Sequence, residues 1–265
     1  MPNVEQGGQT GLILESAVRH AIPFLIKIPA KLKPAFQASI IIPVYNEADI
    51  ISRTIRCFSG YLGPDYELIV CDDASTDGTY EILRNLADKN SNIRLLGFEK
   101  RIGKGGTIKK AVEIADSDLI VYVDADLSAS LDDLPRLLEV ASKKDVLVIS
   151  RRTMRGRLTQ GVLRLALSIG YNLIVRLIFR TGIADHQCGF KAMNKKVARK
   201  LISQTSNDGF VFDTELIVRA RRSGIPVEEI QIDWAERRPK RANTRWLRTS
   251  FEMMKDLTVL KENLP

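Results

Sequence analysis

Short apolar runs and amphipathic stretches alternate along the middle of the chain. The β-rich runs occupy 39–42, 67–71, 93–98, 119–123 and 146–149. They are nearly continuous in apolar residues, as in strands covered on both faces. Between them, apolar positions return at helical spacing over 48–58, 79–89, 105–115 and 132–142. Four strand–helix units in succession predict an α/β fold, a mostly parallel, Rossmann-like sheet flanked by helices. Beyond residue 150 the pattern changes. A long helix is predicted over 158–180, a polar, turn-rich stretch over 182–189, and helices over 195–204 and 214–223. A strand over 227–234 and a last helix over 244–261 follow. The expected organisation is an arm at 1–37, a first half at 38–150 and a second half at 151–265 that shares the same core.

Composition narrows the class. Apolar residues make up 45% of the 265 and charged residues 27%, which excludes collagen-like, disordered and disulfide-stapled chains. Cys57, Cys71 and Cys188 are odd in number, widely spaced and form no CxxC pair. That argues for a reducing compartment and against a zinc site.

The net charge of +8 is unevenly distributed. Residues 151–180 hold seven arginines and no acid, and residues 237–248 hold six basic residues and no acid. Those thirteen charges leave the rest of the chain at −5, a neutral-to-acidic body with two basic segments. Such segments either meet phosphate in some form or are solvated arginine-rich helix faces. A nucleic-acid partner is not expected, because Tyr171 and Phe179 are the only aromatics between Arg151 and Arg180. No 18-residue run is free of charge; the nearest approach, 162–179, is interrupted by Arg164, Asn172 and Arg176. That stretch and the apolar 21–28 in the arm read as segments that lie on a bilayer rather than cross it. No signal-peptide pattern is evident.

Ligands of open α/β sheets bind at the carboxyl ends of the strands, which selects four loops. They carry Pro43-Val44-Tyr45-Asn46-Glu47, the run DDASTDGT at 72–79, Gly103-Lys104-Gly105-Gly106, and Asp124-Ala125-Asp126. Asp124 and Asp126 have the chemistry of a Mg2+ or Mn2+ site, since hard ions take carboxylate oxygens and retain water or phosphate ligands. The glycine loop can cradle phosphate with its amides and Lys104, or be a flexible turn. It has neither P-loop nor GxGxxG spacing.

Taken together, SIIIPVYNE at 39–47, DDASTDGT at 72–79, GKGG at 103–106 and DAD at 124–126 resemble the family 2 inverting glycosyltransferases of GT-A fold. DHQCGFK at 185–191 and FDTEL at 212–216 are similar to the branch that makes dolichyl-phosphate glucose, with dolichyl-phosphate mannose synthases as kin. The resemblance implies a nucleotide-sugar-binding first half, an acceptor-binding and membrane-interface second half, and amphipathic interface helices after the fifth strand. It places Pro43, Val44, Tyr45 and Glu47 around the base and ribose, and Asp72 on the base edge with Asp73 nearby. Asp124, Ala125 and Asp126 fall at the donor sugar and a divalent ion. Ser128 stands where the mannose branch often has a glutamine ligand, which leaves the third metal ligand open. Lys104 and the ion are expected to neutralise the leaving diphosphate, and Arg151 and Arg164 the acceptor phosphate.

The implied reaction moves a hexose, with glucose from UDP-glucose ahead of mannose from GDP-mannose, to a polyprenyl or dolichyl phosphate with inversion. Peripheral attachment at the cytoplasmic face of a membrane is expected, and a membrane-anchoring protein partner stays open. Asp213 is assigned to positioning, with a helix N-cap as its simpler reading. If the acceptor is instead a polysaccharide hydroxyl, Asp213 becomes the base. His186 reads as a solvated turn residue and Cys188 as a packed one.

Overall fold

The structure, a computed structural model, describes residues 37–153, 162–237 and 245–264. The N-terminal arm and most of the second basic segment lie outside them. The first half alternates as the apolar runs predict. It runs β1 (Ala38–Val44), α1 (Ala48–Leu62), β2 (Tyr66–Asp72), α2 (Thr79–Ala87), β3 (Ile93–Gly97), α3 (Gly103–Ile114), β4 (Leu119–Val123), α4 (Leu134–Lys143) and β5 (Leu147–Arg152). The second half continues with α5 (Val162–Phe179), β6 (Phe190–Asn194), α6 (Lys195–Ile202), α7 (Phe212–Arg222), β7 (Val227–Ile232) and α8 (Arg245–Glu262).

The seven strands form one sheet in the order β3-β2-β1-β4-β6-β5-β7, parallel except for β6. Strand order reverses between β1 and β4, which opens the ligand crevice of a doubly wound sheet above their carboxyl ends. Period-two alternation then divides the apolar residues between two cores. Ile40, Ile42, Val121 and Val148 pack on one face with α1 and α4. Ile41, Ile120, Leu147 and Ile149 pack on the other with α3, α6 and α7. Each fully buried aliphatic side chain contributes roughly 1.5–3 kcal/mol, so both faces of every central strand resist a slip in register. A third cluster joins Tyr171 and Val175 of α5 to Met253, Leu257 and Leu260 of α8.

The strand that the sequence pattern leaves unassigned is β6. It runs antiparallel between β4 and β5, pairing Phe190 with Val123 and Lys191 with both Tyr122 and Ile149. A five-residue run containing a lysine beside a glycine-bearing turn lacks the length and continuity of its neighbours. Its position nevertheless controls the site, because it sets Gly189 against Asp124 and aims Lys191 into the protein.

Candidate active site

The loops after β1 and β2 are laced to each other. Asn46 N–H donates to Ser75 Oγ (2.9 Å), Glu47 N–H to Thr79 Oγ1 (2.9 Å), and Thr76 N–H to Asn46 Oδ1 (2.8 Å). Ala48 N–H, an otherwise orphaned donor at the start of α1, reaches Asp77 Oδ2 at 3.2 Å. The polar residues of DDASTDGT therefore brace the first loop. Asn46, Ala74 and Leu127, in the loops after β1, β2 and β4, all have positive φ without being glycine. Such strained backbone clusters where a site fixes its geometry.

Asp72 is buried, and its Oδ2 accepts from Ser75 N–H at 3.1 Å. Its Oδ1 is buried with no hydrogen-bond partner, an acceptor left for a donor outside the chain. Burial pushes its pKa up, against the bonds from Ser75. Asp73 has turned its carboxylate onto the N–H groups of Ile102 (2.6 Å) and Gly103. Tyr45 stands at the rim with the Arg101 guanidinium 3.8 Å from its ring centroid. The Val44 side chain is buried in the core, and so is that of Ala125, whose carbonyl accepts from Thr54 Oγ1 at 2.7 Å. Pro43 and Glu47 are half-buried.

The glycine loop is not a phosphate cradle. The Gly103 amide binds Asp73, and those of Gly105 and Gly106 bind the Asp208 carbonyl at 2.7 and 3.2 Å. Gly103 has φ +83°, and a Cβ there would lie 2.2 Å from that carbonyl oxygen. The glycines allow close approach of the 208–209 backbone, and Lys104 is the group that the loop delivers.

Lys104 Nζ bridges Asp124 Oδ1 (2.8 Å) and Asp213 Oδ2 (2.9 Å). Asp213 Oδ1 in turn accepts from Lys191 Nζ (2.6 Å) and from the Tyr122 hydroxyl (2.8 Å). Burial works to raise the Asp213 pKa, but Lys104 and Lys191 outweigh it and hold the carboxyl below its ordinary range. Burial likewise opposes the charge on Lys104, which Asp124 and Asp213 more than restore. Asp213 lies in the first turn of α7, after Val211 in the capping position, so it is an ion-pair partner and not an N-cap. Lys191 is 0% exposed and also donates to the Cys188 carbonyl at 2.7 Å. Sequence reasoning missed Lys191 and Tyr122. The available signal was a lysine inside an apolar run, which is rarely buried unless paired.

Asp124 and Asp126 share one loop with Ser128. Asp126 Oδ1 accepts from Ser128 N–H at 2.9 Å, and Ser128 Oγ is buried without a hydrogen-bond partner. Two carboxylates and an unpartnered hydroxyl are hard oxygen donors that fit Mg2+ or Mn2+. Among the described residues, no three His, Cys, Asp or Glu gather as a ready-made metal cluster, so bound ligand or water oxygens must complete the shell. Gly189 makes the arrangement possible, because a Cβ there would lie 2.1 Å from Asp124 Oδ2.

Each of the two predicted arginines has a protein partner. Arg151 donates to Gln231 Oε1 at 3.2 Å on β7, and Arg164, on α5, pairs with Glu236 Oε2 at 2.8 Å. Arg152, one residue on and therefore on the other sheet face, binds Asp185 through Nε (2.6 Å) and Nη2 (2.9 Å). Its guanidinium lies 5.3 Å from the Trp234 ring centroid. His186 is fully buried, contrary to the solvated turn expected of it. Its Nδ1 and its backbone N–H both meet Asn172 Oδ1, at 2.8 and 2.9 Å, and Nε2 meets Thr181 Oγ1 at 2.8 Å. An amide oxygen only accepts, so the proton sits on Nδ1. Burial pulls the pKa down to about 4.

A nucleotide-type crevice at a strand-order reversal, with a D-x-D loop and the seven-stranded mixed sheet, defines a glycosyltransferase of GT-A fold. Residues 39–202 match the family model for glycosyl transferase family 2, and the chain belongs to that family. A glycosyltransferase of Haloferax volcanii, AglD, is 34% identical over 219 residues, which cover 78% of this chain and 35% of that protein. The chain thus spans about a third of that relative's length. A dolichyl-phosphate β-glucosyltransferase of Trichomonas vaginalis is 31% identical, over 82% of this chain and 68% of the relative. Among solved structures, glucosyl-3-phosphoglycerate synthase of Mycobacterium tuberculosis, bound to Mn2+, UDP and its product, superposes with a TM-score of 0.61. It is 20% identical over 99% of this chain and 88% of its own, a likeness of fold.

Proposed function

We propose that this chain transfers glucose from UDP-glucose to a dolichyl or other polyprenyl phosphate with inversion, while lying on the cytoplasmic face of a membrane. The names of the dolichyl-phosphate β-glucosyltransferase relatives support the acceptor class and the sugar. The observation that carries the reading is the state of Asp213. A carboxylate held by two ammonium groups and a phenol, with its pKa lowered, is a poor proton acceptor. A hydroxyl acceptor needs a base. A phosphate monoester does not, because its second pKa near ~6 leaves it largely dianionic at neutral pH.

In this reaction a phosphate oxygen attacks the anomeric carbon from the side opposite the diphosphate. The bond between that carbon and the diphosphate oxygen breaks, and its electron pair leaves with UDP. Asp72 Oδ1 accepts from the base, and Tyr45, Pro43 and Glu47 wall the nucleoside. Asp124, Asp126 and Ser128 hold Mg2+ or Mn2+, which when bound supplies positive charge to the diphosphate. Lys104 adds its ammonium from Asp124, while Asp213 and Lys191 keep it in place. Arg151 and Arg164 neutralise the incoming phosphate, with guanidinium forks suited to its oxygens. The helix α5 is apolar and long enough by composition to cross a bilayer, with a mean hydropathy of 1.7. Its attachment favours lying flat. Tyr171, Asn172 and Arg176 bind Thr214, His186 and the Ala184 carbonyl, while Val162, Leu163, Leu173 and Leu177 are exposed.

The test is a panel of UDP-glucose, GDP-mannose and UDP-N-acetylglucosamine against a short polyprenyl phosphate and an oligosaccharide, with products read by mass spectrometry. Glucosyl-phosphoryl lipid from UDP-glucose is expected. Asp126→Ala or excess EDTA should cut its formation about 100-fold or more, with the circular dichroism of the variant unchanged. Transfer to the oligosaccharide alone would replace the acceptor assignment, and full activity in EDTA would remove the metal.

A further inference from the structure

Beside Asp124 and Asp126 lies a recess, open to solvent, whose other walls are Val123, Ala129, Cys188, Gly189, Phe190 and Trp234. Its two sides differ chemically. Carboxylates offer acceptors along one edge, and the half-buried Trp234, packed against the core, supplies apolar wall along another. A hexopyranose has the matching duality, hydroxyls around its edge and a C–H face.

The indole is held in register with the carboxylates. Trp234 forms an antiparallel bridge with Ala129, Ser130 N–H donates to the Asp233 carbonyl at 2.9 Å, and Ala235 N–H to that of Ser128 at 2.9 Å. The backbone that carries the ring is therefore bonded to the segment that leaves Asp126. The Arg152 guanidinium stands over the ring, itself fixed by both oxygens of Asp185. Opposite, the absence of a side chain at Gly189 leaves room that a Cβ would take from Asp124. The aromatic residue at the rim of the first loop is Tyr45.

We infer that Trp234 is the platform for the transferred hexose, a binding residue that recognises the sugar and not the nucleotide. The inference rests on the donor reading proposed above and adds a residue that the sequence motifs do not contain. Its test compares UDP with UDP-glucose, in Mn2+, by calorimetry on the wild-type chain, Trp234→Ala and Trp234→Phe. Loss of the platform should weaken UDP-glucose about tenfold and leave UDP within about twofold, with phenylalanine recovering most of the loss. In a Trp246→Phe background, where Trp234 is the sole tryptophan, its fluorescence should respond to UDP-glucose and not to UDP. Equal losses for both ligands would make Trp234 a brace for the loop, and unchanged affinities or a silent indole would also overturn the assignment. A wild-type chain that binds neither ligand overturns the donor reading itself, and this inference with it.

Discussion

In the crevice, Asp213 sits 4% exposed between two ammonium groups and a phenol. On α5, Arg164 is 52% exposed with its guanidinium tip on the Glu236 carboxylate, on a helix whose Leu177 is 70% exposed. The two regions use charge differently. In the first, positive and negative groups have been taken out of water together, so each fixes the other's position and neither can be removed alone. In the second, the charge is solvated and the apolar groups are the ones out of place, as if awaiting a surface. The crevice is built to hold a geometry, the helix to meet something.

The sharpest way to break the buried side is Lys191→Met. The variant removes one of the two cations from Asp213 and leaves Tyr122 and Lys104 to hold it. A broken buried pair costs about 3–5 kcal/mol, so a large fall in thermal or denaturant stability is expected. Lys191→Met combined with Asp213→Asn should recover part of it, because the uncompensated charge is gone. No recovery in the double variant would mean that Lys191 acts through packing and not through its charge.

His186 tests the same side by pH. In the unfolded chain its imidazole has the ordinary pKa of 6.5, and in the folded protein burial lowers it to about 4. Between those values the unfolded chain binds a proton that the folded one refuses, so stability falls as pH drops from 6.5 to 4 and is flat above 6.5. The shift of 2.5 corresponds to about 3 kcal/mol. Lys191 and Arg176 favour the neutral ring and Asp185 opposes them. Denaturant titrations at pH 7 and pH 4.5 should show a pH-dependent loss in the wild type that His186→Gln reduces. An equal loss in both would place the proton uptake elsewhere.

These residues also mark where sequence reasoning stopped. The five apolar runs of the first half are legible because strands buried on both faces must be continuously apolar, and Asp72, Asp124 and Asp126 follow because strand ends at a reversal face the crevice. Lys191 was hidden because β6 is antiparallel and five residues long, with no periodicity to announce it. His186 sits in a turn-rich stretch, and its burial depends on Asn172, fourteen residues away on another element. The two readings of the glycine loop stay open in the sequence because glycine serves close packing and anion binding equally well, and only the Asp208 carbonyl decides between them. The place of Arg152, on Asp185 and over Trp234, is not legible because strand alternation, which sends it to the face opposite Arg151, needs a sheet before it says what lies there.

Arg164 carries the smallest expected effect and separates the two regions most cleanly. Its ion pair with Glu236 is exposed, and such pairs are worth about 0–1 kcal/mol, so Arg164→Ala should leave stability almost unchanged. If the guanidinium instead serves a lipid phosphate, its removal raises the acceptor KM about tenfold while the UDP-glucose KM stays within about twofold. Arg164→Lys keeps the charge without the fork and should fall between the two. Equal changes in both KM values would move Arg164 to the donor side. An unchanged acceptor KM would leave the Glu236 pair as its whole role, and the phosphate would then have to be met by Arg151 or by residues beyond 237.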